Sequence, residues 1–150
     1  MSNLESVSQA TLVAMIRALY PSLVINLSLN GISLDGLSPK QKAKLVREQK
    51  QQGLEPGIPD LQLLLPDAQV LNLELKRPIG GVQSPAQKDI QAKLEALGHN
   101  YFLIRDIYEV FKLISERTTV EFRKSQYLLY SNSDLLIDTY PEKIASIYNF

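Results

Sequence analysis

Two short stretches of the chain, DLQLLL at 60–65 and QVLNLELK at 69–76, alternate apolar and polar residues with a period of two. That period belongs to a β-strand with one face in a core. Pro66-Asp67-Ala68 lies between them as a turn, so the pattern predicts a hairpin. Gly57-Ile58-Pro59 breaks the chain before it, and Arg77-Pro78 with Gly80-Gly81 ends it. Leu12, Ile16 and Leu19 repeat at helical spacing in a helix over about 3–19, stopped by Pro21. Leu23 to Leu29 reads as a strand followed by an Asn30-Gly31 turn. Ser38-Pro39 and Gly53 frame a helix of about 39–52. Ser84-Pro85 opens another that runs to Leu97 and stops at Gly98, with Ile90, Leu94 and Leu97 as its apolar stripe. Tyr101 to Ile104 is a short buried strand. Asp106 and Glu109 make a capping box for a helix carrying Ile107, Val110, Phe111 and Ile114. Beyond Arg117 the pattern is weaker: Tyr127 to Tyr130 fits a strand or a helix end, and Pro141 to Phe150 a short helix. The predicted order is α/β, one central sheet covered by helices.

Composition narrows what such a domain can do. The chain has 150 residues, the usual size of one domain, and no repeat, low-complexity tract or linker divides it. Its hydrophobic share of 45% supplies a core, yet no apolar run approaches the roughly 18–20 residues of a membrane span. The first residues, MSNLESVSQA, lack the basic start and apolar stretch of a signal peptide. No cysteine is present, which excludes disulfides, thiolate zinc sites and cysteine nucleophiles and fits a reducing cytoplasm. A single histidine, His99, excludes multi-histidine metal sites. Net charge is zero, so no general attraction to phosphate is expected. Locally, however, Lys40, Lys42, Lys44, Arg47 and Lys50 crowd one predicted helix against Glu48 alone. This is either a nucleic-acid contact or a solvated helix face.

The hairpin carries the candidate chemistry. With a loop of Pro66-Asp67-Ala68, Leu65 pairs with Gln69 and Asp60 falls opposite Glu74; a loop one residue longer makes them diagonal neighbours. Directly opposed residues have β-carbons about 4.5–5.5 Å apart. Glu74 and Lys76 share a face because side chains alternate along a strand. Asp60, Glu74 and Lys76 therefore converge, while Leu61, Leu63, Leu65, Leu71, Leu73 and Leu75 form the opposite, core face. Two opposed carboxylates repel. A divalent cation removes that conflict, and oxygen-rich sites suit Mg²⁺ or Mn²⁺. Such an ion polarises a phosphoryl oxygen and acidifies a water. Lys76, beside two carboxylates, stays protonated and can orient or help deprotonate an attacking water. The alternative is a surface ion-paired strand end in which Lys76 neutralises both acids. Ser84 has no histidine partner, so serine nucleophile chemistry is not supported. Gly80-Gly81 lacks the context of a nucleotide-binding loop.

GIPDLQLLLP, LNLELKRPIGG and SPAQKDIQAKLEALG together are similar to the PD-(D/E)XK nucleases, in which Pro-Asp is followed by Glu-X-Lys on the paired strand. The fuller pattern is a basic helix, Gly53, Pro56 to Leu61, Glu74-Leu75-Lys76, Ser84 with Gln87, and Leu97-Gly98. It resembles the VRR-NUC (virus-type replication-repair nuclease) branch over about residues 3–115. Residues 116–150 match no pattern of that family and make a C-terminal extension, packed on the core or used for dimerisation. The resemblance implies a restriction-endonuclease-like αβββαβ core, a central mixed sheet flanked by helices. It implies a Mg²⁺- or Mn²⁺-dependent deoxyribonuclease with Asp60, Glu74, Lys76 and Gln87 as catalytic residues. The metal would be held by Asp60, Glu74, the main-chain carbonyl of Leu75 and Glu5 of the first helix. Gln87 has a second reading as the capping-box partner of Ser84, and Glu5 as an exposed residue near a frayed terminus. Arg77 is a phosphate contact or a solvent-facing arginine. Stand-alone relatives resemble Holliday-junction resolvases of viruses or mobile elements. This implies branched DNA as partner, a homodimer suited to two symmetric cuts, and the cytoplasm, that of the host if viral. Flap- or nick-directed cleavage, or a non-catalytic nucleic-acid-binding module, are the alternatives.

Overall fold

The computed structural model describes residues 4–28 and 34–120, with side chains in the first helix from Gln9 onward. The helices are α1 (Leu4–Leu19), α2 (Pro39–Gln51), α3 (Pro85–Ala96) and α4 (Tyr108–Arg117). The strands are β1 (Val24–Leu27), β2 (Leu61–Leu64), β3 (Val70–Leu75) and β4 (Phe102–Ile104). The strands form one mixed sheet in chain order. β1, β2 and β3 are an antiparallel meander, and β4 returns parallel to β3 through α3. This is the expected α/β architecture.

Period-two patterning gives the sheet two unlike faces. Leu61, Leu63, Leu65, Leu71, Leu73 and Leu75 are each at most 6% exposed. They join one cluster with Leu12, Met15, Ile16 and Leu19 of α1 and with Val110, Phe111 and Ile114 of α4. Each such burial contributes about 1.5–3 kcal/mol. Tyr20 stacks on Phe111 across the two helices, ring centroids 6.4 Å apart. The opposite face carries a row of amides. Asn26 Nδ2 donates to Gln62 Oε1 at 3.1 Å, Gln62 Nε2 to Asn72 Oδ1 at 2.9 Å, and Asn72 Nδ2 to the Asn100 carbonyl at 2.9 Å. Asn100 Oδ1 in turn accepts from Asn72 N at 2.8 Å. Asn72, 3% exposed, is thus a satisfied buried amide.

Ser38 and Ser84 cap α2 and α3 as expected, each with Pro in the first turn and a reciprocal glutamine three residues on. The start of α4 differs. Asp106 Oδ1 accepts from Tyr108 N at 3.2 Å and the Glu109 carboxylate takes the Asp106 N–H, but the N-cap is Ile107, which has no side-chain bond. The short aspartate side chain closes a turn two residues on, so the helix starts later than a capping box requires. The apolar stripe of α3 also stops early. Leu97 is 75% exposed because the helix ends at Ala96 and Leu97 is its cap residue. Phe102 and Leu103 are only half-buried, and among the described residues β4 is an edge strand. The Asn30-Gly31 turn and the elements expected past Val120 lie outside the described residues.

Candidate functional site

The turn fixes which residues meet. Leu65 N donates to Gln69 O at 2.8 Å, and Gln69 N to Pro66 O at 3.3 Å. Asp67 and Ala68 both have φ near +58°, a conformation that Asp tolerates better than Ala. The resulting pairing runs from Leu64↔Val70 to Leu61↔Leu73. Asp60 follows as the next partner of Glu74, as the short loop requires. β2 has ended there, so the Leu75 N–H would lose its ladder partner. Asp60 Oδ2 accepts it instead at 2.9 Å, which turns the carboxylate toward β3. Main-chain Asp60 O accepts from Ser28 N at 2.9 Å, tying the strand entry to β1.

Glu74 is only 1% exposed, on the amide-bearing face. Its Oε1 receives two donors. Lys76 Nζ stands 2.8 Å away, on a side chain 10% exposed, and Gln87 Nε2 also hydrogen-bonds to it. Its Oε2 is buried and has no hydrogen-bond partner among the described residues. Burial pushes the Glu74 carboxyl above the ordinary range; the Lys76 hydrogen bond opposes this, and the Asp60 charge adds to it.

Gln87 arrives through the first turn of α3. Its Oε1 accepts from Ser84 N at 2.8 Å, and its own N–H donates to Ser84 Oγ at 3.2 Å. One amide therefore caps the helix with its oxygen and holds Glu74 with its nitrogen. Gly57 sets the approach of this helix. It has φ +88°, and a β-carbon there would stand 2.3 Å from Ala86 O. Only glycine lets the loop before Asp60 lie against α3.

Tyr101 was not singled out by the sequence. The pairing Glu74↔Leu103 puts the residue two positions earlier on the Glu74 face. Tyr101 is 7% exposed, and its buried hydroxyl lies by Glu74 and Gln83, though neither it nor Glu74 Oε2 has a hydrogen bond among the described residues. Burial foremost, then the negative charge of Glu74, pushes its pKa up to about 12. The Asn72–Asn100 clasp fixes the start of β4 and hence this ring. No local pattern marks Tyr101, because the contact crosses a parallel pairing through α3.

Other candidates stand apart. Glu5 belongs to α1, outside the described side chains. Lys40, Lys44, Arg47 and Lys50 are exposed on α2, a helix without a buried residue, and Lys42 is half-buried. Lys44 pairs with Glu48 at 3.7 Å, both exposed. Arg77 is exposed just past the hairpin. Among the described residues no three His, Cys, Asp or Glu side chains converge as a ready metal cage. The donor set at the hairpin nevertheless fits a hard cation: two acids side by side, one with an oxygen left open. Mg²⁺ in particular is commonly held by one or two carboxylates, with water and substrate phosphate completing the shell.

A solved structure described as a VRR_NUC domain protein superposes on 81% of this chain and 93% of its own, with TM-score 0.53 and 20% identity. The chain has the VRR_NUC fold. Another solved structure, a VRR_NUC domain, covers 76% of this chain and 97% of its own at TM-score 0.48 and 21% identity. No protein-family model and no curated protein matches the sequence. In the VRR_NUC fold of this chain, Asp60, Glu74, Lys76 and Gln87 meet where the hairpin adjoins α3. No described helix is long and apolar enough to cross a membrane.

Proposed function

We propose that this protein is a VRR-NUC nuclease that hydrolyses phosphodiester bonds of DNA with Mg²⁺ or Mn²⁺, and that it prefers branched DNA. The observation that carries the reading is Glu74 itself. It is a buried acid with one oxygen held by Lys76 and Gln87, the other open, and a second acid on the partner strand. A purely structural buried ion pair would be expected to use both oxygens.

Asp60, Glu74 and the carbonyl of Leu75 would hold the ion, which supplies positive charge to the phosphate and makes a water more acidic. The protein residues do the rest. Gln87 and Lys76 share Glu74 Oε1 and keep the open oxygen aimed away from themselves. Lys76, its ammonium held at Glu74 Oε1, would orient an attacking water toward the phosphorus. Asp60, tied to Leu75 N, resists swinging away when a cation draws it. A four-way junction presents two equivalent cut points, so the reading includes a homodimer.

Full-length protein should cut labelled junction DNA only with Mg²⁺ or Mn²⁺, in paired symmetric nicks. A preference for flap, nicked or linear substrate would replace the resolvase reading and leave the nuclease. Calorimetric titration with Mn²⁺ tests the site alone. Heat of binding that vanishes in Asp60→Ala supports it, and absence of binding in the unmodified chain favours a non-catalytic DNA-binding module.

A further inference from the structure

The loop that leaves the hairpin, residues 77–83, begins just after Lys76 and ends just before the Ser84 cap of α3, whose Gln87 touches Glu74. Both of its ends are therefore anchored at the same acid. One guanidinium braces it: Arg105 Nη1 donates to Arg77 O at 3.0 Å, and Nη2 to Gly81 O at 2.8 Å. Glycines make the brace possible. Gly80 has φ +75°, and a β-carbon on Gly81 would lie 2.8 Å from Arg77 O and 2.9 Å from Arg77 N. The tightened turn displays two aliphatic side chains to water, Ile79 at 90% and Val82 at 78% exposure. Single exposed aliphatics are ordinary on protein surfaces. Here two share one stapled loop that starts and ends at residues holding Glu74.

We propose, resting on the nuclease reading above, that this loop is a wedge: Ile79, supported by Val82, inserts at an unstacked base step of branched DNA beside the bond to be cut. Residues 77–84 carry one arginine and no acid, so the loop can approach a polyanion without repulsion. Aliphatic wedges enter base steps when the stack can be opened, and opening costs least where pairing is already interrupted. A braced loop has little freedom to lose on binding. Ile79 lies three positions past Lys76, a reach of at most about 11 Å. At about 3.4 Å of rise per base pair, the disturbed step falls within about three base pairs of the cut. A second copy of the chain is the competing occupant; its favoured contacts would not depend on nearness to Glu74.

The test uses the full chain, a synthetic four-way DNA junction with 2-aminopurine at the branch, and a matched linear duplex. Binding is read with Ca²⁺ in place of Mg²⁺. The unmodified protein should brighten 2-aminopurine at the junction. Ile79→Ser should lose most of that signal and about tenfold of the preference for junction over duplex, with duplex binding unchanged. Val82→Ser should act in the same direction more weakly, and serves if Ile79→Ser does not fold by thermal melting. Full brightness and preference in both variants would overturn the wedge. So would a change of oligomeric state in Ile79→Ser by light scattering. Brightening without cleavage in Mg²⁺ would sink the nuclease and keep the wedge; cleavage without brightening would do the reverse.

Discussion

The two faces of the β2–β3 hairpin obey different rules. On one, six leucines at positions 61 to 75 meet α1 and α4, and what matters is volume removed from water. On the other, Asp60, Gln62, Asn72, Glu74 and Lys76 each have named partners, and what matters is which atom faces which. The first face tolerates an exchange of like shapes; on the second, exchanging one oxygen for a nitrogen turns an acceptor into a donor and leaves its partner unpaired. Stability is concentrated on one side of the hairpin and the candidate chemistry on the other, separated by a single backbone thickness.

That contrast can be broken from either side. The largest effect is expected on the polar face: Asp60→Ala, Glu74→Ala and Lys76→Ala should each lower cleavage by about a thousandfold or more, equivalent to about 4 kcal/mol of barrier. Far-ultraviolet dichroism should remain unchanged. Wild-type cutting by any of them removes that residue from the site. On the apolar face, Leu73→Ala should cost about 2–5 kcal/mol in urea unfolding. Gly57→Ala tests the close contact between the loop before Asp60 and α3. It should cost about 2–3 kcal/mol from the clash with Ala86 and the strained φ, and should reduce cleavage further than the stability loss explains.

A subtler effect involves protons. Burial raises the Glu74 carboxyl above its ordinary 4.5, so the folded, metal-free protein holds that proton more tightly than the unfolded chain does. The associated stability is fully present below pH 4.5 and is lost as pH rises through the raised value. Urea titrations in EDTA should show this slope, Glu74→Gln should flatten it, and added Mn²⁺ should restore stability at the upper end. An unaltered slope in Glu74→Gln would assign it to another group. The smallest effect sits in the turn. Ala68→Gly removes a side chain from a positive-φ position and should stabilise by about 1 kcal/mol, with cleavage unchanged.

Much of this was legible in the sequence where the determinants are local. The length of the Pro66–Ala68 turn sets the pairing that brings Asp60 beside Glu74, and alternation assigns the leucines to the core. Serine followed by proline marks the start of α2 and α3. What escaped was non-local. Tyr101 reaches Glu74 only because β4 lies parallel to β3, a pairing made through a whole helix. The Arg105 brace on the 77–83 loop spans more than twenty residues of chain. Leu97 fitted the stripe of α3 by spacing, but the helix ended one residue before it.

The amide row has a consequence for how the hairpin finds itself. Leucine recurs at every second position of both strands, so sliding one strand by two residues sets leucine against leucine again, and the oily side senses almost no error. The amides do sense it. After such a slip Gln62 would face Glu74 or Val70 instead of Asn72, and the chain of hydrogen bonds from Asn26 to Asn100 would break in its middle. Three modest hydrogen bonds thus act as the key that tells the correct alignment from its greasy look-alikes, and the acids stay in step because they ride on the same strands.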